Sequence, residues 1–212
     1  MSVPEHTPNA RTFWTCPECD VRTHELHDAA AHVEAHPRGA YAEATWVYVD
    51  KTAWPSGRWH EEPDGAVWTD AATGLTGLAW RARQGVWHGY VVLPRNHPCV
   101  GLATKKLPPL AVHGGITFSN TCEAMPSVVT ACAHLHPAAS TAHRWCLGFD
   151  CWHTFDRVPL PTWVDFEVQL DALNDGDPRL RRVYRTLAYV QAECMRLAAQ
   201  LTALAGRDRA AE

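Results

Sequence analysis

Apolar positions recur most regularly near the C-terminus, where Leu180, Val183, Leu187, Val190, Cys194, Leu197, Leu201 and Leu204 follow one another in steps of three and four. That period places them on one face of an α-helix. Asp177 can cap its start, Pro178 suits the first helical position, and Gly206 suits the stop, so the pattern predicts a helix over 178–205. About 28 residues at 1.5 Å each make it about 42 Å long. Such a stripe can serve as a coiled-coil seam or pack on the protein's own sheet. Tyr184 and its bulky neighbours widen the stripe and favour the second use.

Strand signals precede it. Thr45–Asp50 is β-branched and aromatic, and Gly77–Arg83 and Val86–Leu93 are apolar runs separated by Gln84-Gly85, which predicts a hairpin. Leu110–Phe118 and Trp145–Phe149 are further strand candidates, with Trp46, Trp80, Trp87 and Trp145 read as core. Residues 51–76, rich in Pro, Gly and Asp, read as loop with short hairpin pieces, and 119–144 as irregular. The fold class expected is therefore α+β: a small, mostly antiparallel sheet packed by a long C-terminal helix. It occupies 45–212, after a separate module and linker at 1–44.

Composition supports a globular chain: of 212 residues, 46% are hydrophobic and 20% charged. No apolar run reaches the roughly 20 residues of a membrane span, and the first residues lack a signal peptide's apolar stretch, so a cytoplasmic protein away from membranes is expected. In that compartment the 8 Cys read as thiols or metal ligands rather than disulfides. The net charge of −4 comes wholly from residues 1–44, where three Arg face seven acidic residues.

That acidic segment holds Cys16, Cys19, His32 and His36 in a C-x2-C-x12-H-x3-H spacing. A Cys-x-x-Cys turn presents two thiolates to one ion, and His at i and i+4 share a helix face, so the four can close a zinc tetrahedron. Over residues 12–37 the chain resembles the two-Cys two-His zinc finger family, with Trp14 at its first aromatic position. Thr23 and Ala29 depart from its usual aromatic and Leu, which thins the apolar core and leaves the metal as the main source of folding energy. The positions matching the family's base-reading set are Glu25, His27, Asp28 and Ala31. Their acidity repels phosphate, so a protein partner or a structural role is expected before nucleic acid.

Four polar motifs lie beside strands in the body: Asn96-His97-Pro98, Val112-His113-Gly114-Gly115, Gly148-Phe149-Asp150 and Cys151-Trp152-His153. Together His97, His113, Asp150 and His153 could form a carboxylate and imidazole site with an open coordination position, as a catalytic zinc needs, with Glu123 or Glu193 as general base. A metal-free variant uses Cys151 as nucleophile and His113 as base. Each has a plainer reading: His113 as a strand cap, Asp150 as a turn residue, Cys151 as a small buried apolar side chain. Cys132, His134 and His136, with Cys122, Cys146 or His143, could hold a second structural zinc.

The runs WHGYVVLPRNHP, AVHGGITFS and RWCLGFDCWH, with the helix pattern from Tyr184 to Glu193, resemble a family of uncharacterised phage and actinobacterial proteins over residues 84–204. The resemblance implies a shared architecture and polar site at His97, His113, Asp150, Cys151, His153, Tyr189 and Glu193, and names no reaction. The chain departs from it in the His- and Cys-rich stretch before Arg144.

Arg179, Arg181, Arg182 and Arg185 crowd the start of the expected helix, where the dipole disfavours cations. Nearby carboxylates or an anionic small-molecule ligand would compensate. Two function classes follow. One is a metal-dependent hydrolase fused to a zinc finger, with catalytic residues His113, Asp150, His153 and Glu193. The other is a non-catalytic adaptor that meets a protein partner through the finger or the C-terminal helix.

Overall fold

The computed structural model describes the backbone of Trp14–Thr15, Arg22–Thr23 and Glu43–Trp46, and residues 49–82, 84–122, 144–159 and 182–210. Two short strands, β1 (Trp14–Thr15) and β2 (Arg22–Thr23), pair antiparallel. The finger ligands Cys16, Cys19, His32 and His36 lie outside the described residues, as does Glu123.

The body is an antiparallel sheet of six strands: β3 (Glu43–Trp46), β4 (Gly65–Thr69), β5 (Thr76–Arg81), β6 (Trp87–Val92), β7 (Phe118–Thr121) and β8 (Trp145–Asp150). Their order is β3-β4-β5-β6-β8-β7, so β8 inserts between β6 and β7. One helix, α1 (Leu187–Ala210), packs on β5 and β6. This is the α+β architecture expected.

Alternation along the strands decides what the helix covers. Ala66, Trp68, Ala79, Trp87, Val91, Leu147 and Phe149 share one core cluster with Val190, Cys194, Leu197, Ala198 and Leu201 of α1. The stripe thus packs on the chain's own sheet. Residues of opposite parity, Val67, Leu78, Tyr90, Val92 and Cys146, are buried on the other face. Gly89 lets the helix approach closely, since a Cβ there would come within 2.9 Å of the Cys194 sulfur.

The β5–β6 hairpin forms where the apolar runs predict it, with Gly85 at φ +89° in the turn. Elsewhere the sequence reading needs correction. Gly65–Thr69, within the stretch expected to be loop, is a full strand between β3 and β5. Of the strand expected over Leu110–Phe118, only Phe118 is in a strand. Gly114 and Gly115 take φ of +62° and +88°, which breaks extension, and Gln200 of α1 holds both the N–H and C=O of Ala111 at 2.8 Å.

The helix also starts later than expected and ends beyond Gly206. Val183, expected in the stripe, instead forms a parallel bridge with Asp156 and is 49% exposed. The cap is Thr186, whose hydroxyl accepts the Tyr189 N–H at 3.2 Å, while Glu62 accepts the Leu187 N–H at 2.9 Å. Backbone bonds to residues 155 and 157 make extension the better state for the preceding segment. No helix among the described residues is long and apolar enough to cross a membrane.

Candidate metal centre

Three segments converge near the start of α1. After β8 the chain turns through His153 to Asp156: the Asp156 N–H donates to the His153 carbonyl at 2.9 Å, and the His153 N–H donates to Asp156 Oδ2 at 3.0 Å. This reciprocal turn fixes the carboxylate of Asp156, which is almost wholly buried. The second segment is the turn Val112–Gly115, where the Gly115 N–H donates to the Val112 carbonyl at 3.0 Å and presents His113. The third is the first turns of α1, carrying Tyr189 and Glu193.

His113 is held at three points. Its N–H donates to Glu193 Oε2 at 2.7 Å, its Nε2 meets Asp156 Oδ2 at 2.8 Å, and its Nδ1 meets Tyr189 Oη at 3.0 Å. A carboxylate only accepts, so Nε2 donates to Asp156, and in the neutral imidazole Nδ1 then accepts from the Tyr189 hydroxyl. His153 Nδ1 approaches the same Asp156 oxygen at 3.2 Å, and the two imidazole centroids are 5.1 Å apart. Gly114 makes room for this: a Cβ there would lie 2.0 Å from a His153 ring carbon.

One ligand atom from each of His113, His153 and Asp156 falls within 4.8 Å of the other two. His153 lies toward solvent with its side chain 36% exposed, whereas His113 is at 11% and Asp156 at 1%, so the group opens on one side. Arg185 Nε donates to the other Asp156 oxygen, Oδ1, at 2.8 Å, and its guanidinium lies 4.9 Å from the Tyr189 ring centroid. Burial opposes the charge on Asp156, but bonds from Arg185 and His113 outweigh it and hold the carboxyl below its usual range. Burial, followed by the Glu193 charge, pushes the Tyr189 phenol up and keeps it protonated.

His113 and His153 are brought together as expected, but the rest of the predicted set is not. His97 is buried elsewhere: its Nδ1 accepts the Cys99 N–H at 3.1 Å and its Nε2 donates to the Leu201 carbonyl at 3.0 Å. Both ring nitrogens are thereby used, Nδ1 within its own loop and Nε2 to tie that loop to α1. Asp150 Oδ1 accepts the Trp152 N–H at 3.1 Å, a turn role, and stays 4.0 Å from His153 Nδ1. Asp156 supplies the carboxylate instead.

Glu193 braces the His113 backbone and pairs with Arg196, so it acts on position rather than on the imidazole. Cys151 is buried, and burial pushes its thiol up, the opposite of what a thiolate nucleophile requires. Cys122 and Cys146 are brought together, with sulfurs 2.9 Å apart, but Cys122 is disulfide-bonded and not the thiol or metal ligand expected. Their suggested co-ligands Cys132, His134, His136 and His143 lie outside the described residues. Asp156 was missed, although it had a local signal in His153-x-x-Asp156, a spacing that closes a turn; Arg185, expected to meet a nearby carboxylate or an anion, meets Asp156.

No protein-family model, curated protein or solved structure matches this chain.

Proposed function

We propose that the chain is a metal-dependent hydrolase that holds a divalent transition metal, zinc in the first instance, on His113 Nε2, His153 Nδ1 and Asp156 Oδ2. The observation that carries this reading is the convergence of two imidazole nitrogens on one carboxylate oxygen, at 2.8 and 3.2 Å, at a face open on one side. Ligands at 2.0–2.1 Å from a tetrahedral ion stand about 3.3 Å apart, so metal entry needs the group to open by roughly half an ångström and give up its shared protons.

The surrounding residues suit that role. With the metal on Nε2, His113 Nδ1 becomes the donor to Tyr189 Oη, the outer hydrogen bond that orients a metal-binding imidazole. Arg185 occupies Oδ1 and leaves Oδ2 as a single ligand atom. Three protein ligands leave a fourth position for water, whose pKa such an ion lowers to about 7. The finger motif adds a separate structural zinc at Cys16, Cys19, His32 and His36, and we place the chain in a cytoplasmic setting, with the phage and actinobacterial resemblance as its expected relationship.

A second reading rests on the same geometry. Both His113 ring nitrogens are already bonded within the chain, which fits a non-catalytic adaptor whose His and Asp cluster only ties α1 to the sheet. Elemental analysis of the full chain, of Cys16→Ser/Cys19→Ser and of His113→Ala separates the two. The hydrolase reading expects the double Cys variant to keep one metal per chain and His113→Ala to lose that metal while staying folded. A double Cys variant free of metal would sink it in favour of the adaptor.

A further inference from the structure

The loop that supplies two of the proposed ligands also presents aromatic side chains. In Trp152-His153-Thr154-Phe155-Asp156 ligands and aromatics alternate, and Trp152 and Phe155 are 50% and 47% exposed. Val183, 49% exposed, is fastened to this loop: its N–H donates to the Phe155 carbonyl at 2.8 Å and its carbonyl accepts the Arg157 N–H at 3.1 Å. Among the described residues, the large exposed apolar side chains are these three and Met195, which is on α1. Scattered exposed apolar residues are ordinary, but a group of them beside a polar centre marks a contact surface.

A well-fixed cation, Arg185, stands beside that surface, with the Asp150 carboxylate on the Trp152 side of the turn. Arg185 is gripped at one edge by Asp156 Oδ1 at 2.8 Å and at one face by the Tyr189 ring, with its centroid at 4.9 Å. Only Nε takes part in that ion pair, so the terminal nitrogens of the planar fork lie outside it. The side chain keeps 23% exposure, next to the carboxylate that would hold the metal. A metal and a guanidinium side by side suit a tetrahedral phosphoryl group, whose several oxygens can bridge the two.

We propose that the substrate is an organic phosphate ester whose alcohol part carries an aromatic or heteroaromatic ring. Its phosphoryl oxygens meet the metal and Arg185, and its ring packs on Trp152 and Phe155. This rests on the reading of His113, His153 and Asp156 as a metal centre. In the reaction a water oxygen bonds to phosphorus, the ester P–O bond breaks, and the departing alkoxide takes a proton from that water. An alcohol and inorganic phosphate result, with no further reactant.

Calorimetric titration of the full-length, zinc-loaded protein with phenylphosphonate, whose P–C bond is not hydrolysed, and with inorganic phosphate tests this. The wild type is expected to bind phenylphosphonate about tenfold more tightly, as one aromatic stacking contact allows. Trp152→Ala/Phe155→Ala should erase that preference and leave inorganic phosphate binding unchanged. Arg185→Met should weaken both ligands tenfold or more at constant zinc content, with Arg185→Lys in between. Equal affinity of the wild type for the two ligands, or a preference that survives loss of both aromatics, overturns the proposal.

Should Arg185→Met also shed zinc, the aromatic variant decides alone, since it removes no proposed ligand. The two layers fail differently. If no zinc depends on His113, the metal reading falls and this inference with it. If zinc depends on His113 but the ring confers no advantage, only the substrate class falls.

Discussion

Two polar clusters flank the start of α1, and they differ in how completely they are closed. In the first, Arg81 and Asp64 are fully buried. Arg81 meets Asp64 at 3.1 Å, Glu62 at 2.6 Å and the Tyr184 hydroxyl at 2.6 Å, while Lys51 reaches Asp64 at 2.7 Å. The Arg81 guanidinium also lies over Trp87, 4.2 Å from the ring centroid. The second cluster, His113, His153, Asp156 and Arg185, has a comparably buried carboxylate, but a partly exposed imidazole forms one of its sides. Arg81 and Asp64 constrain the fold because removing one partner of a buried ion pair leaves the other's charge poorly compensated away from water, although Glu62 beside them keeps 16% exposure. A cluster open on one side can still take a ligand.

Breaking the sealed cluster should have the largest effect. Arg81→Met leaves Asp64 with Lys51 as its remaining counter-charge and takes the guanidinium from Glu62 and the Tyr184 hydroxyl, and is expected to destabilise the protein by about 3–5 kcal/mol, read from the urea midpoint. Asp156→Asn should cost less, about 1–3 kcal/mol, because the groups it unpairs lie nearer to solvent, yet it should abolish zinc binding at this centre, measured in the Cys16→Ser/Cys19→Ser background. A larger stability loss for Asp156→Asn than for Arg81→Met would reverse the assignment of roles.

Gly114→Ala sharpens the contrast further. Its Cβ would strike the His153 ring, and φ of +62° strains any other residue, so metal affinity should fall at least tenfold for a stability loss of about 1–2 kcal/mol. Unchanged zinc affinity in a folded Gly114→Ala protein would show that His153 is not a ligand. Thr186→Ala, which removes the helix cap near both clusters, should cost about 1 kcal/mol in thermal or chemical melts. Trp152→Ala, half-exposed, is expected within about 0.5 kcal/mol of the wild type. A larger loss would make Trp152 part of the core rather than of a binding surface.

Much of the scaffold was legible from residues 77–93, as two strand-length apolar runs about a Gly turn, and from 187–204, where burial follows the helical period of the stripe. The core strand Gly65–Thr69 was hidden by its surroundings: Pro63, Asp64 and Asp70 read as loop, although Asp64 is consumed by Lys51 and Arg81. Of the centre, His113 stood out beside two glycines, His153 just past a strand end, and the bracing Glu193 in the helix pattern. Asp156 did not, because Asp150 lies nearer to the strand and carries the same chemistry. His97 was misassigned because nothing local reveals that the Leu201 carbonyl waits for its proton.

By itself, the sequence determined the antiparallel hairpin, the burial of the helix stripe and the presence of an imidazole in the Val112–Gly115 turn, all of which depend on neighbours a few residues apart. Only the tertiary structure decided which carboxylate the imidazoles share and where the helix begins. Asp156 is selected because the chain brings Val183 and Arg185 against it, and Thr186 caps because Glu62, far earlier in the chain, takes the next amide. Such choices turn on hydrogen-bond partners supplied from distant segments, and those partners exist only once the sheet and helix have packed.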